Sequence, residues 1–220
     1  EFMDSRLTNS VAFSVNRIRE VDPAVRFALS GTQRPSAYGG TDWWKQLNVM
    51  DAALNYGGGG QFDIHRSFCP GGGFMPWNWG YSSRGGAAVA RVWRTAFYGM
   101  RGLMGFQSTS QINQDWTFSR GLRDTLPHVR RLVEGTGMHF VNNLVAKHEV
   151  AILYSQASLR AAFIENRREE HDLLEEKVRL LLRNLGYAYD YVSYDELSDG
   201  AVAKRGYRVL LLADAVAMSD

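Results

Sequence analysis

The chain has one cysteine, Cys69, in 220 residues, so no internal disulfide can staple it. No stretch approaches the roughly 20 consecutive apolar residues that a membrane-spanning helix needs. None resembles a signal peptide. An excess of one charge is missing too. Lys and Arg number 25 against 23 Asp and Glu, for a net charge of +2. With no long basic run, nothing argues for a nucleic-acid partner. These absences predict a soluble chain without nucleic-acid or membrane partners, and a cytoplasmic location is expected over secretion. The leading Glu1-Phe2-Met3 reads as a cloning junction and is set apart from the fold.

Several chemistries are also unsupported. No G-x-S-x-G elbow is present, which argues against an α/β-hydrolase esterase. The glycines Gly57 to Gly60 lack the Lys-Ser/Thr of a phosphate loop, and they read as a strand-end loop. His128 and His139 show no ligand spacing, so no metal site is expected, and no other cofactor. Cys69, between Phe68 and Pro70, reads as an inert thiol.

What is abundant is tryptophan. Five of the six (Trp43, Trp44, Trp77, Trp79, Trp93) fall within residues 43–93. Such planes stack on sugar rings, and equally they fill cores and interfaces. Around them, short apolar runs alternate with helical patterns. Helices are predicted over Leu7 to Arg19, over Trp43 to Val49 with Asp42 as cap, over Ala87 to Tyr98 and over Leu126 to Glu134. Strands are predicted at Val25 to Leu29, Ala52 to Tyr56, Phe62 to His65 and Leu103 to Phe106. Strand–loop–helix recurrence argues for parallel β/α units, and four of them make half of an eight-unit barrel. In such a barrel the loops after the strands build the site. Those loops carry Gln33, Asn55, Tyr56, His65, Arg66, Trp77, Trp79 and Gln107.

After about Lys147 the pattern changes. Val150 to Tyr154 is a strongly apolar strand. A charged helix runs from about Glu169 to Leu185, with Leu173, Leu174, Val178, Leu181, Leu182 and Leu185 as its predicted core stripe. Gly186 follows as a left-handed stop. A strand near Val192, a short helix from Tyr194 and a strand at Arg208 to Leu212 open a doubly wound domain. The expected organisation is therefore α/β. Residues 4–147 form the C-terminal half of a (β/α)8 barrel, and residues 148–220 a partial flavodoxin-like domain.

Four passages carry a family likeness. They are Asp42-Trp43 with Asp51-Ala52-Ala53-Leu54-Asn55-Tyr56; Ile64-His65-Arg66-Ser67; Arg91 to Gly99 with Leu103 to Gln107; and His148 to Ser155. In order and spacing they resemble glycoside hydrolase family 42, the β-galactosidase-like enzymes. In that family a barrel precedes a trimerisation domain with a flavodoxin-like fold related to class I glutamine amidotransferases. The resemblance implies a carbohydrate substrate with β-linked sugars, no cofactor, and a homo-oligomer, a trimer in that family. It also implies that the chain is a piece of a longer enzyme and is inactive alone.

Retaining glycosidases use two carboxyl groups roughly 5 Å apart. The resemblance places the acid/base glutamate on a fourth strand ahead of this chain, and the nucleophile near His65. No glutamate stands between Glu20 and Glu134. Asp63, two residues before His65, would share its side of a strand. Three readings stay open. Asp63 replaces the glutamate; or the chemistry has moved, with His65 and Arg66 binding substrate; or the barrel has lost hydrolysis and serves as a carbohydrate-binding or oligomerisation module.

Overall fold

The structure, a computed structural model, describes residues 2–32, 34–55, 59–69, 76–79, 86–97, 102–105, 111–142 and 148–218. Short apolar runs become parallel strands here, and the segments between them become helices, as alternating β/α patterns do. In chain order the elements are α1 (Phe2–Val21), β1 (Ala28–Thr32), α2 (Trp43–Leu47), β2 (Ala52–Asn55), α3 (Gly59–Phe68), β3 (Pro76–Trp79), α4 (Gly86–Phe97) and β4 (Gly102–Gly105). Then come α5 (Arg120–Glu134), α6 (Thr136–Asn142), β5 (Val150–Tyr154), α7 (Gln156–Ile164), α8 (Arg168–Asn184), β6 (Tyr189–Ser193), α9 (Tyr194–Ser198), α10 (Ala201–Arg205) and β7 (Val209–Leu211).

Two parallel sheets result. The first has the order β1-β2-β3-β4 and the second β6-β5-β7. The chain is thus mixed α/β, and among the described residues the strands do not close into a barrel. Several local signals act as predicted. The Asp42 side chain accepts the Lys45 amide at 3.4 Å and caps α2. Gly186 takes a positive φ of 78° after α8. The short helix predicted from Tyr194 is α9, and the Ser193 and Glu196 side chains close a capping box on it.

Other expectations are corrected. β1 starts at Ala28, three residues later than predicted, because the Phe27 amide donates to the Asp51 carboxylate at 2.8 Å. Phe62 to His65 is no strand but the middle of α3. Residues 61–65 are all buried, and a helix enclosed on all sides shows no polar face to betray its period. Between α3 and α4 a strand, β3, occupies Pro76–Trp79 where only a loop was expected; proline is tolerated at its first position. α5 starts at Arg120 rather than Leu126, since Ser119 caps it by accepting the Leu122 amide at 3.3 Å.

The core crosses from one sheet to the other. Val15, Trp43, Leu47, Ala53, Ile64 and Phe68 pack in one cluster with Ile152, Tyr154, Leu182 and Tyr191. Polar bonds reinforce the junction. The Tyr154 hydroxyl accepts the Trp43 amide at 3.0 Å, and Arg160 pairs with the buried Asp4 of α1. α3 also covers the outer edge of β6. Ser67 Oγ accepts the Tyr191 amide at 2.8 Å, and Arg66 donates to the Tyr189 carbonyl at 2.6 Å. Two edge groups that would otherwise lack ladder partners are thereby satisfied.

α8 is oriented against expectation. Of its predicted stripe, Leu182 is buried and Val178 packs on the core. Leu173, Leu174, Leu181 and Leu185 are 42% to 61% exposed. The face turned inward carries His171, which is buried, followed by Glu175 and Arg179 at helical spacing.

Candidate functional site

The first sheet sets four carboxyl ends side by side. Thr32 pairs with Asn55, Asn55 with Trp77, and Trp79 with Gly105. Parallel pairing with consecutive order forces this, because every strand runs the same way and each helix returns the chain to the opposite end. Asn55, Trp77 and Trp79 are therefore brought to one edge of one sheet. Gln33, Tyr56 and Gln107, predicted for the same edge, lie outside the described residues.

His65, Asp63 and Arg66 do not join that edge. On helix α3, positions 63 and 65 point about 200° apart, which corrects the expectation that the two share a face. Asp63 turns toward the second sheet. Its carboxylate accepts from Arg183 at 2.6 Å and from the Tyr189 hydroxyl at 2.7 Å, with Arg66 at 3.7 Å. His65 is fully buried and meets the Trp43 ring edge-on, centroids 4.3 Å apart. Burial lowers its pKa to about 3, so at neutral pH it carries no charge.

Arg66 belongs to a network that sequence reading missed. Its guanidinium donates to Asp190 at 2.8 Å. The same carboxylate binds His148 Nδ1 at 2.9 Å and the Tyr207 hydroxyl at 3.0 Å. Burial pushes the Asp190 carboxyl up, but the His148 hydrogen bond, the Arg66 charge and the remaining partners, the Tyr207 hydroxyl among them, together outweigh it, and the carboxyl sits below its ordinary range. Arg66 and Asp190 are 124 residues apart, so no local signal could have linked them. Cys69 is buried, and its thiol donates to the Asp51 carbonyl at 3.3 Å.

No protein-family model and no curated protein matches the chain. Among the described residues no cluster of three His, Cys, Asp or Glu side chains could hold a metal ion. Among them, too, no helix is long and apolar enough to cross a membrane.

A second polar feature lies between the sheets. A cavity of about 350 Å3 opens where β5 ends, lined by Tyr154 and Ser155, by Gly60 and Gln61 at the start of α3, and by the inward face of α8. In the order β6-β5-β7 the chain leaves β5 for one neighbour and returns to the other, so the crevice at the end of β5 is a topological switch point. Asp214, held at a left-handed φ of 48°, takes His171 Nδ1 at 2.9 Å. That bond assigns the proton to Nδ1. The sequence signal for this site was the i, i+4, i+8 spacing of His171, Glu175 and Arg179, masked by the more conspicuous leucines.

Proposed function

We propose that this chain is part of a β-galactosidase-like glycoside hydrolase acting on β-linked sugars, with its sugar contacts at the carboxyl edge of the first sheet. The supporting observation is the consecutive parallel pairing that gathers Asn55, Trp77 and Trp79 there. Carboxyl ends of parallel strands are where β/α enzymes place substrate, and tryptophan and an amide suit the apolar and hydroxyl faces of a pyranose. The finer assignment, half of an eight-stranded barrel followed by a flavodoxin-like trimerisation domain, belongs to the same proposal. So does a homo-oligomeric state.

A non-catalytic carbohydrate-binding module is the second reading. It is favoured by Asp63, which sits on a helix with its carboxylate engaged by Arg183 and Tyr189. The two readings separate in one experiment. The chain is titrated with D-galactose while tryptophan fluorescence is followed, and the longer enzyme to which the chain is proposed to belong is assayed in parallel with chromogenic β-galactosides. Binding that weakens several-fold in Trp77→Ala or Trp79→Ala supports the sugar edge, and turnover decides between hydrolase and binder. Absence of both binding and turnover refutes the two readings together.

A further inference from the structure

The cavity at the end of β5, which also borders the segment after β1 through Arg34 and Pro35, has the features of a second site. Three polar atoms on its lining residues have no hydrogen-bond partner among the described residues: Gln61 Oε1, Arg179 Nε and the Tyr191 hydroxyl. Gln61 is 6% exposed and Tyr191 0%. Buried polar groups are nearly always paired, and each one that is not calls for an explanation. The three on residues around one cavity are groups that a ligand with hydroxyls could satisfy. The set comprises an acceptor, a donor and a group that can be either.

The backbone is shaped for the same purpose. A Cβ on Gly60 would overlap the Arg179 guanidinium, so glycine at this position lets that cation lie against the start of α3. α8 meanwhile keeps leucines in solvent while turning His171, Glu175 and Arg179 inward. A helix that spends its inward face on charged groups forgoes apolar burial, as a binding surface does.

The ligand's charge follows from the lining. Arg34, Arg168 and Arg179 stand against four carboxylates, and Arg168 is already committed to Asp172 at 2.9 Å. Neither sign dominates, so an anion or a cation would meet an opposing group at close range. Burial raises the Glu175 pKa, countered in part by His171 and Arg179. The same burial would penalise a charge of either sign on a ligand. The volume lies near the lower end of small-molecule sites, roughly 300 Å3. The Tyr154 and Tyr191 rings and Ile64 supply apolar contact. We infer that the crevice between β5, α3 and α8 binds a neutral polyhydroxylated molecule the size of one sugar ring. Arg179 Nε–H donates to a ligand hydroxyl, Gln61 Oε1 accepts from one, and the Tyr191 hydroxyl bonds a third.

Calorimetric titration with three probes on one skeleton tests this: D-galactose, D-galactonate and D-galactosamine. Galactose should bind, and the two charged analogues should bind about tenfold more weakly or worse. Tyr191→Phe removes only a hydroxyl without a partner among the described residues. It should keep the fold and weaken galactose roughly three- to tenfold, the worth of one hydrogen bond. Gly60→Ala should weaken it further by displacing Arg179. Trp77→Ala, at the strand edge, should leave this binding event in place. No galactose binding by the wild type, or binding indifferent to Tyr191→Phe, overturns the assignment. Loss in Trp77→Ala alone would do the same while leaving the strand-edge proposal standing. Preference for galactonate or galactosamine would refute the neutral ligand class.

Discussion

His65 should make the fold sensitive to acid, and the size of the effect follows from its burial. In the folded chain the imidazole stays neutral down to about pH 3; unfolded, it protonates at its ordinary value of 6.5. Above pH 6.5 neither state binds the proton, so His65 contributes no pH dependence there. Below it the unfolded state holds one proton more than the folded state, and stability falls by about 1.4 kcal/mol per pH unit. By pH 3 the accumulated loss is about 5 kcal/mol, comparable with the whole stability of a small domain, roughly 5–15 kcal/mol. His65→Leu, close in volume and without charge at any pH, removes this dependence. Urea unfolding of both proteins at pH 7.5, 6.5, 5.5 and 4.5 gives the difference directly, because the other titrating groups are common to both. The difference should be flat down to pH 6.5 and then shift in favour of the variant. Parallel curves, or a His65 ring proton that titrates near 6.5 in the folded protein, would refute the reasoning.

Two further outcomes test the junction and the cavity. Asp63→Ala leaves the Tyr189 hydroxyl buried without its acceptor and releases Arg183; a loss of about 3 kcal/mol is expected, at the lower end for a broken buried pair because Arg183 is partly exposed. That lowers Tm by roughly 6–12 °C, measurable by calorimetry, and an unchanged Tm would show that Asp63 does not tie the sheets. Glu175 has a folded pKa raised by burial above its ordinary 4.5. Its folded form holds the proton longer, so stability falls as pH rises from about 4.5 through that higher value. Glu175→Gln should be more stable than the wild type at pH 7 and converge with it below pH 4, and a variant less stable at pH 7 would contradict this.

Much of the secondary structure was legible locally. Val150 to Tyr154 reads as a buried strand because every position is apolar, and it is one. Asp42 caps a helix, and Gly186 stops another, because each acts on a backbone within a few residues. The parallel arrangement followed from the alternation of strand and helix. In the candidate site, Asn55 was legible at a strand end, whereas Trp77 and Trp79 were expected in a loop and lie within β3, which hid in a glycine-rich stretch.

The remaining features were decided by contacts between residues far apart in the chain. α3 is a helix whose sequence alternates like a strand; enclosure by Trp43 on one side and β6 on the other removes the polar face that would have announced its period. That single difference carried Asp63, His65 and Arg66 away from the strand edge. The leucines of α8 promised a core stripe, yet the helix turns its charged face inward. Bonds such as Arg66 to Asp190 and Asp63 to Arg183 span more than a hundred residues. A sequence specifies such pairs only through the whole fold. Periodicity and capping are properties of neighbours, so the sequence by itself determined where most strands and helices run. Which of their faces meet, and hence the cavity between β5, α3 and α8, depended on how α3 and the rest of the first half pack against the second sheet.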